Sequence, residues 1–130
     1  MSERRACILV VEDDPFVRMV IVDDLHEVGL DAEEAGSAAE AVEKLQGSAD
    51  EIRAAIVDIG LPGLRGDALV AELRESHPHL PIVIASGYAE DDLRRQFGDD
   101  EMVAILGKPF EIDGLGAVLR RFGVLESGKD

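Results

Sequence analysis

Four short apolar runs set the tightest limit on what this chain can fold into: Cys7–Val11, Ala54–Val57, Ile82–Ala85 and Val103–Leu106. Each is rich in Val, Ile or Ala and shows no polar alternation. A strand with one wet face alternates, so continuous runs of this length predict strands buried on both faces, as in a parallel sheet. Leu30–Ala35 is a fifth, weaker run. It carries Asp31, Glu33 and Glu34, which suits a strand at the exposed edge of that sheet.

Helical patterns fill the gaps. Asp14-Pro15 predicts an N-cap followed by proline at the first helical position. Val17, Val20, Ile21, Asp24, Leu25 and Val28 then recur at helical spacing, and Gly29 supplies the stop. Ser37-Ala38-Ala39-Glu40 reads as a capping box, with Ala38, Ala41, Val42 and Leu45 on one face of the helix it opens. Leu69, Val70 and Leu73 mark a third helix that closes near His77-Pro78. Residues 89–97 form a weaker fourth, since only Leu93 and Phe97 are large and apolar. Ile112, Leu115, Val118, Leu119 and Phe122 mark a fifth, in which Gly114 and Gly116 each cost about 1 kcal/mol relative to alanine. Strand and helix therefore alternate five times. The expectation is an α/β fold, a parallel sheet covered on both faces and joined by right-handed crossovers. One domain is expected over residues 1–123, with 124–130 a short tail.

Composition removes several function classes. The net charge of −15 opposes binding to nucleic acid or to an anionic membrane. No apolar run approaches the ~18 residues of a membrane span, and no signal-length stretch comes after Met1. A single cysteine, Cys7, forms no internal disulfide framework and suits a reducing compartment, so a cytoplasmic location is expected. With 4% aromatics and no Trp, stacking on bases or a flavin has little to draw on.

The chemistry lies just beyond the end of each strand. The first run ends in Glu12-Asp13-Asp14, the second in Asp58, the third in Ser86-Gly87, the fourth in Gly107-Lys108-Pro109. Ligands of open α/β sheets bind beyond the carboxyl ends of the strands, so acids, a hydroxyl and an ammonium should converge on one edge. Neighbouring carboxylates repel one another and are stabilised by a divalent cation, and an all-oxygen ligand set favours Mg²⁺ over Zn²⁺. A carboxylate can also attack phosphorus. Helix caps could explain any one of these residues; four strand ends agreeing is a different matter.

Ile8-Leu9-Val10-Val11-Glu12-Asp13-Asp14-Pro15, Val57-Asp58-Ile59-Gly60-Leu61-Pro62-Gly63, Ile84-Ala85-Ser86-Gly87 and Lys108-Pro109-Phe110 together resemble the receiver domain of bacterial two-component response regulators. The likeness covers nearly all of residues 6–123. It implies a flavodoxin-like (βα)5 three-layer sandwich with strand order 2-1-3-4-5. It implies that Asp58 takes a phosphoryl group from a phosphohistidine on a histidine kinase or histidine phosphotransfer protein. It further implies that Asp13 binds Mg²⁺ directly, Glu12 orients it through water, and Asp58 and the Gly60 backbone carbonyl complete the ligands. Lys108 would contact a phosphoryl oxygen, with a cis bond to Pro109, and Ser86 would hydrogen-bond the phosphoryl group and report its arrival to a downstream protein target. Such a chain is not an enzyme with a separate substrate, although it assists its own phosphorylation and dephosphorylation. Most receivers place Tyr or Phe three residues before the lysine; here the residue is Ile105, so the usual aromatic rotamer switch is not expected. Pro81–Tyr88 partly resembles the tract of the atypical FATGUY subgroup, with Ile at both Phe positions and Ser for Thr. Tyr88 flanks the expected site, as shield or as loop packing.

Other classes fit less well. A haloacid-dehalogenase-type phosphatase needs a second acid two residues after its nucleophile, and Asp58-Ile59-Gly60 lacks it. A flavodoxin-like FMN carrier needs a phosphate loop where Glu12-Asp13-Asp14 would repel phosphate. The intact acidic set argues against a receiver-like scaffold that is never phosphorylated and leaves it open as an alternative. His26, His77 and His79 lack a metal-ligand constellation, Cys7 reads as a packed thiol, and Asp91-Asp92 and Asp99-Asp100-Glu101 read as solvated faces.

Overall fold

The fold was obtained as a computed structural model, which describes residues 6–48, 51–58, 66–86, 94, 95, 97, 99–107 and 112–124. The elements are β1 (Cys7–Val11), α1 (Pro15–Glu27), β2 (Asp31–Ala35), α2 (Ala38–Ser48), β3 (Ile52–Asp58), α3 (Gly66–Ser76), β4 (Ile82–Ser86), β5 (Val103–Gly107) and α4 (Ile112–Arg121). Of the helix expected over 89–97, only Arg94, Arg95 and Phe97 are described, and all three are helical. The five strands form one parallel sheet in the order β2-β1-β3-β4-β5.

Alternation along the buried strands divides the core into two clusters, one on each face of the sheet. Leu9, Val11, Ala55, Val57, Ile82 and Ile84 meet Ala41 and Leu45 of α2 and Leu69, Val70 and Leu73 of α3. Their neighbours Ile8, Val10, Ala54, Ile56, Val83 and Ala85 meet Ile21, Val22 and Leu25 of α1 and Leu115 and Leu119 of α4. Because both faces are covered, neither parity of β1, β3 or β4 can be polar, which is why these runs are continuous.

Helix ends follow local rules. Asp14 Oδ1 accepts the N–H groups of Phe16 at 2.9 Å and Val17 at 3.3 Å, a cap that contributes about 1 kcal/mol. At the other end Gly29 adopts φ 91°, and the Leu30 and Gly29 N–H groups donate to the Leu25 and His26 carbonyls. The left-handed turn that closes these bonds suits glycine. Gly123 ends α4 in the same way at φ 78°. In the second cap, Ser37 Oγ accepts from the Glu40 N–H at 3.2 Å, but the Glu40 carboxylate reaches back to the Gly36 N–H rather than to Ser37.

One assignment on α1 is corrected. Helical spacing places Val20 on the core face, yet it is 43% exposed, while Val22 is buried. Apolar residues occupy nearly every position from Phe16 to Val22, so their spacing does not fix the helix phase. Contact with the sheet does, and it selects Ile21, Val22 and Leu25.

Charged contacts tie the periphery. Arg74 grips Asp100 with Nε at 2.6 Å and Nη2 at 3.2 Å, and its Nη1 donates to the Pro78 carbonyl at 2.7 Å. The Arg74 hydrogen bond holds the Asp100 carboxyl below its ordinary value of 3.8. On the β2 edge, Asp31 and Glu34 are exposed, Glu33 pairs with Lys44 at 3.0 Å and Glu34 with Arg18 at 2.9 Å. Among the described residues no helix is long and apolar enough to cross a membrane.

Candidate functional site

Sheet register builds the site. Val11 lies opposite Val57 in the β1–β3 pair, so the next residues, Glu12 and Asp58, emerge side by side at the carboxyl edge. Asp58 is the last residue of β3 and lies opposite Ala85 of β4. Glu12 is 3% exposed and Asp58 9%, whereas Asp13 is exposed to solvent. One carboxylate oxygen from each of the three lies within 4.8 Å of the other two.

Such crowding costs energy. Two unit charges at this spacing repel by about 1–3 kcal/mol per pair between aqueous and protein-surface dielectrics. The donor set is all carboxylate oxygen, partly buried and partly open to water, which fits a hard cation that keeps several waters, such as Mg²⁺.

The loop carrying these acids is tightly bonded. The Glu12 N–H donates to the Ala35 carbonyl at 3.0 Å, and Glu12 Oε2 accepts the Asp14 N–H at 3.2 Å. Asp14 spends Oδ1 on the α1 cap, so the three consecutive acids divide their work: Glu12 and Asp13 join Asp58, and Asp14 starts a helix.

Ser86 ends β4 at the same sheet edge, paired in register with Gly107. Ile105 lies opposite Ile84 and packs, half-buried, against the cluster on the α2–α3 face. Gly60, Tyr88, Lys108 and Pro109 lie outside the described residues, as does the Ser86 side chain.

Two features escaped the sequence reading. Arg18 Nη1 donates to the Glu12 carbonyl at 2.7 Å and Nε to Glu34 Oε1 at 2.9 Å. An arginine one turn into a helix, just past an acidic loop, is a weak signal for this. Beside it, Phe16, Met19 and Val20 form an exposed apolar strip on α1, 67%, 49% and 43% accessible. Their spacing of three and four residues is visible in the sequence but looks the same as that of a core face.

Of the residues set aside from the sequence, Asp91 and Asp92 lie outside the described residues, Asp100 is corrected from a solvated face to a partner of Arg74, and Cys7 and the histidines stand apart from the acidic cluster. Burial pushes the Cys7 thiol above its ordinary value, and Glu33, Asp31 and Glu51 push it the same way, so its thiolate is disfavoured. His77 and His79 border a cavity of about 290 Å³ at the other end of the sheet, with Arg53 and apolar residues rather than acids or thiols for neighbours. His26 is exposed on α1.

Comparison with known proteins agrees with this geometry. The family profile described as response regulator receiver domain matches residues 8–120. The chain is 35% identical over 115 residues to the sensor kinase CckA of Brucella abortus, covering 88% of this chain and 12% of that protein. It is 30% identical over 118 residues to the DNA-binding transcriptional regulator NtrC of Escherichia coli, covering 91% and 25%. The chain thus spans between about an eighth and a quarter of these two relatives. Among solved structures, the receiver domain of NtrX from Brucella abortus superposes with a TM-score of 0.80 at 31% identity, covering 93% of this chain and 99% of that one.

Proposed function

We infer, because this chain belongs to the response regulator receiver domain family, that Asp58 is the residue through which its signal passes. The chain is a receiver of two-component signalling, and receivers are signalling domains rather than enzymes with separate substrates. What carries the assignment of Asp58 is its place: the end of the central strand, with Glu12 and Asp13 carboxylates within 4.8 Å.

The reaction read from this arrangement is a phosphoryl transfer. An Asp58 carboxylate oxygen forms a bond to phosphorus as the P–N bond of a phosphohistidine breaks, and the departing imidazole takes up a proton. Little covalent help is needed; positioning and charge neutralisation decide the rate. Glu12, Asp13, Asp58 and the Gly60 carbonyl would hold Mg²⁺. When bound, that ion supplies the charge neutralisation that two approaching anions require. Lys108 and Ser86 are assigned to the phosphoryl oxygens. The donor is a histidine kinase or histidine phosphotransfer protein, and the reader of the signal is another protein. The charge of −15 speaks against DNA as that reader's substitute. A cytoplasmic location suits the lone thiol of Cys7.

Phosphotransfer from a panel of purified histidine kinases tests this reading. One or a few kinases should lose label to the chain within minutes when Mg²⁺ is present, and chelation with EDTA should stop it. Transfer that is indifferent to chelation would contradict the metal-assisted route.

The switch should work without a moving ring. Ile105 is β-branched and stiff at χ1, and it cannot sweep the volume of an aromatic side chain. With beryllofluoride as a phosphoryl mimic, the Ser86 amide should shift strongly in NMR spectra while the Ile105 methyl shifts keep the pattern of one unchanged rotamer. A rotamer change at Ile105 would overturn this.

A further inference from the structure

We propose that Arg18 is a positioning residue that clamps the main chain on both sides of Asp13 and so holds Asp13 where the cation site needs it. The proposal rests on the reading of the acidic cluster as a Mg²⁺ site and adds a residue to that site.

Arg18 meets the acidic loop twice. Its own N–H donates to the Asp14 carbonyl at 2.9 Å, the first i−4 bond of α1. Its Nη1 donates to the Glu12 carbonyl at 2.7 Å. These carbonyls belong to the two residues that flank Asp13. With both ends of the Asp13 segment tied to one residue, the peptide planes around Asp13 have little freedom, although its carboxylate stands in solvent. The bond between Glu34 Oε1 and Nε at 2.9 Å fixes the guanidinium plane from the β2 side. The Arg18 side chain is only 21% exposed.

Two further details fit. A Cβ on Gly36 would stand 3.3 Å from Nη1 and 3.4 Å from Glu40 Oε1, so glycine there leaves room for both side chains. Arginine presents donors in a rigid fork, whereas a lysine ammonium is a single flexible point and cannot serve the Glu12 carbonyl and Glu34 in this geometry.

Charge and position predict opposite signs, which makes the proposal testable. A guanidinium repels a nearby cation, so if its charge were all that mattered, removing it would tighten Mg²⁺ binding. If it positions Asp13, removing it loosens binding.

The experiment measures Mg²⁺ dissociation constants of the full chain by ¹⁵N–¹H NMR titration for wild type, Arg18→Gln and Arg18→Lys. Each is measured well below its own thermal midpoint, recorded in parallel. Both variants should bind Mg²⁺ about tenfold more weakly, the lower range for losing a partner that orients a ligand. A merely structural role would lower the midpoint and leave the affinity of the folded protein unchanged. Equal or tighter binding by either variant overturns the proposal. If both Arg18 variants fail to fold, Gly36→Ala presses a methyl on Nη1 at constant charge and should weaken binding too; unchanged affinity there overturns it. Wild type that binds no Mg²⁺ overturns the reading of the pocket itself, and the proposal with it, whereas wild-type binding with indifferent variants overturns the proposal alone.

Discussion

Replacing Asp58 with Asn should abolish phosphorylation of this protein by a kinase or by acetyl phosphate. The substitution keeps the shape of the side chain and removes only its nucleophilic, charged oxygen. Asp58 is 9% exposed at the end of the central strand, so an isosteric amide disturbs little packing. The loss should be on the order of a thousandfold or more, because an amide at this position offers no anionic oxygen to attack phosphorus. Intact-mass spectrometry before and after incubation with Mg²⁺ and acetyl phosphate reads the result directly. Wild type should gain one phosphoryl group that maps to Asp58, and Asp58→Asn should gain none. A phosphoryl group that persists in the variant at the wild-type level would move the acceptor elsewhere.

Replacing Asp13 with Ala should cut Mg²⁺ affinity by about a hundredfold. Partners that merely orient a ligand cost 10- to 100-fold when lost, and Asp13 is assigned as a ligand itself. The sign of the stability change should depend on the ion. Without Mg²⁺, the variant should melt at or above the wild-type temperature, because one of three mutually repelling carboxylates within 4.8 Å is gone. With millimolar Mg²⁺, wild type should gain stability by mass action and the variant should not. Thermal melts with and without the ion, next to an NMR titration, give both numbers. Equal Mg²⁺ affinities in the two proteins would remove Asp13 from the ligand set.

The sequence carries much of this architecture because of one geometric fact. Strands covered on both faces cannot alternate, so Cys7–Val11, Ala54–Val57, Ile82–Ala85 and Val103–Leu106 stand out as continuous apolar runs and fall within β1, β3, β4 and β5. Their spatial order is not written in them. A run of Val and Ile fixes burial, not which strand lies alongside, and only family resemblance supplies the order. The acids are legible for a related reason: in a parallel sheet all strands end at the same edge, so Glu12, Asp13 and Asp58 share that edge, and the pairing of β1 with β3 then brings them within 4.8 Å. Asp14 is harder to assign, since a helix cap and a pocket acid look alike until the Phe16 and Val17 amides are seen to claim it. Arg18 leaves almost no trace. Its key acceptor is a main-chain carbonyl, which every residue has, and its side-chain partner lies sixteen positions away.

The acidic edge strand also governs how copies of this protein treat one another. A parallel sheet ends in a row of unpaired main-chain groups, the natural template for adding a neighbour's strand. Along β2 that template is guarded. A second β2 laid beside the first would bring Asp31 and Glu33 of each copy together on one face and Glu34 on the other, with Lys44 and Arg18 offsetting part of that charge at Glu33 and Glu34. At neutral pH, therefore, repulsion opposes runaway sheet growth from this side. The same acids that make β2 a poor strand by propensity make it a good terminus for the sheet on this side.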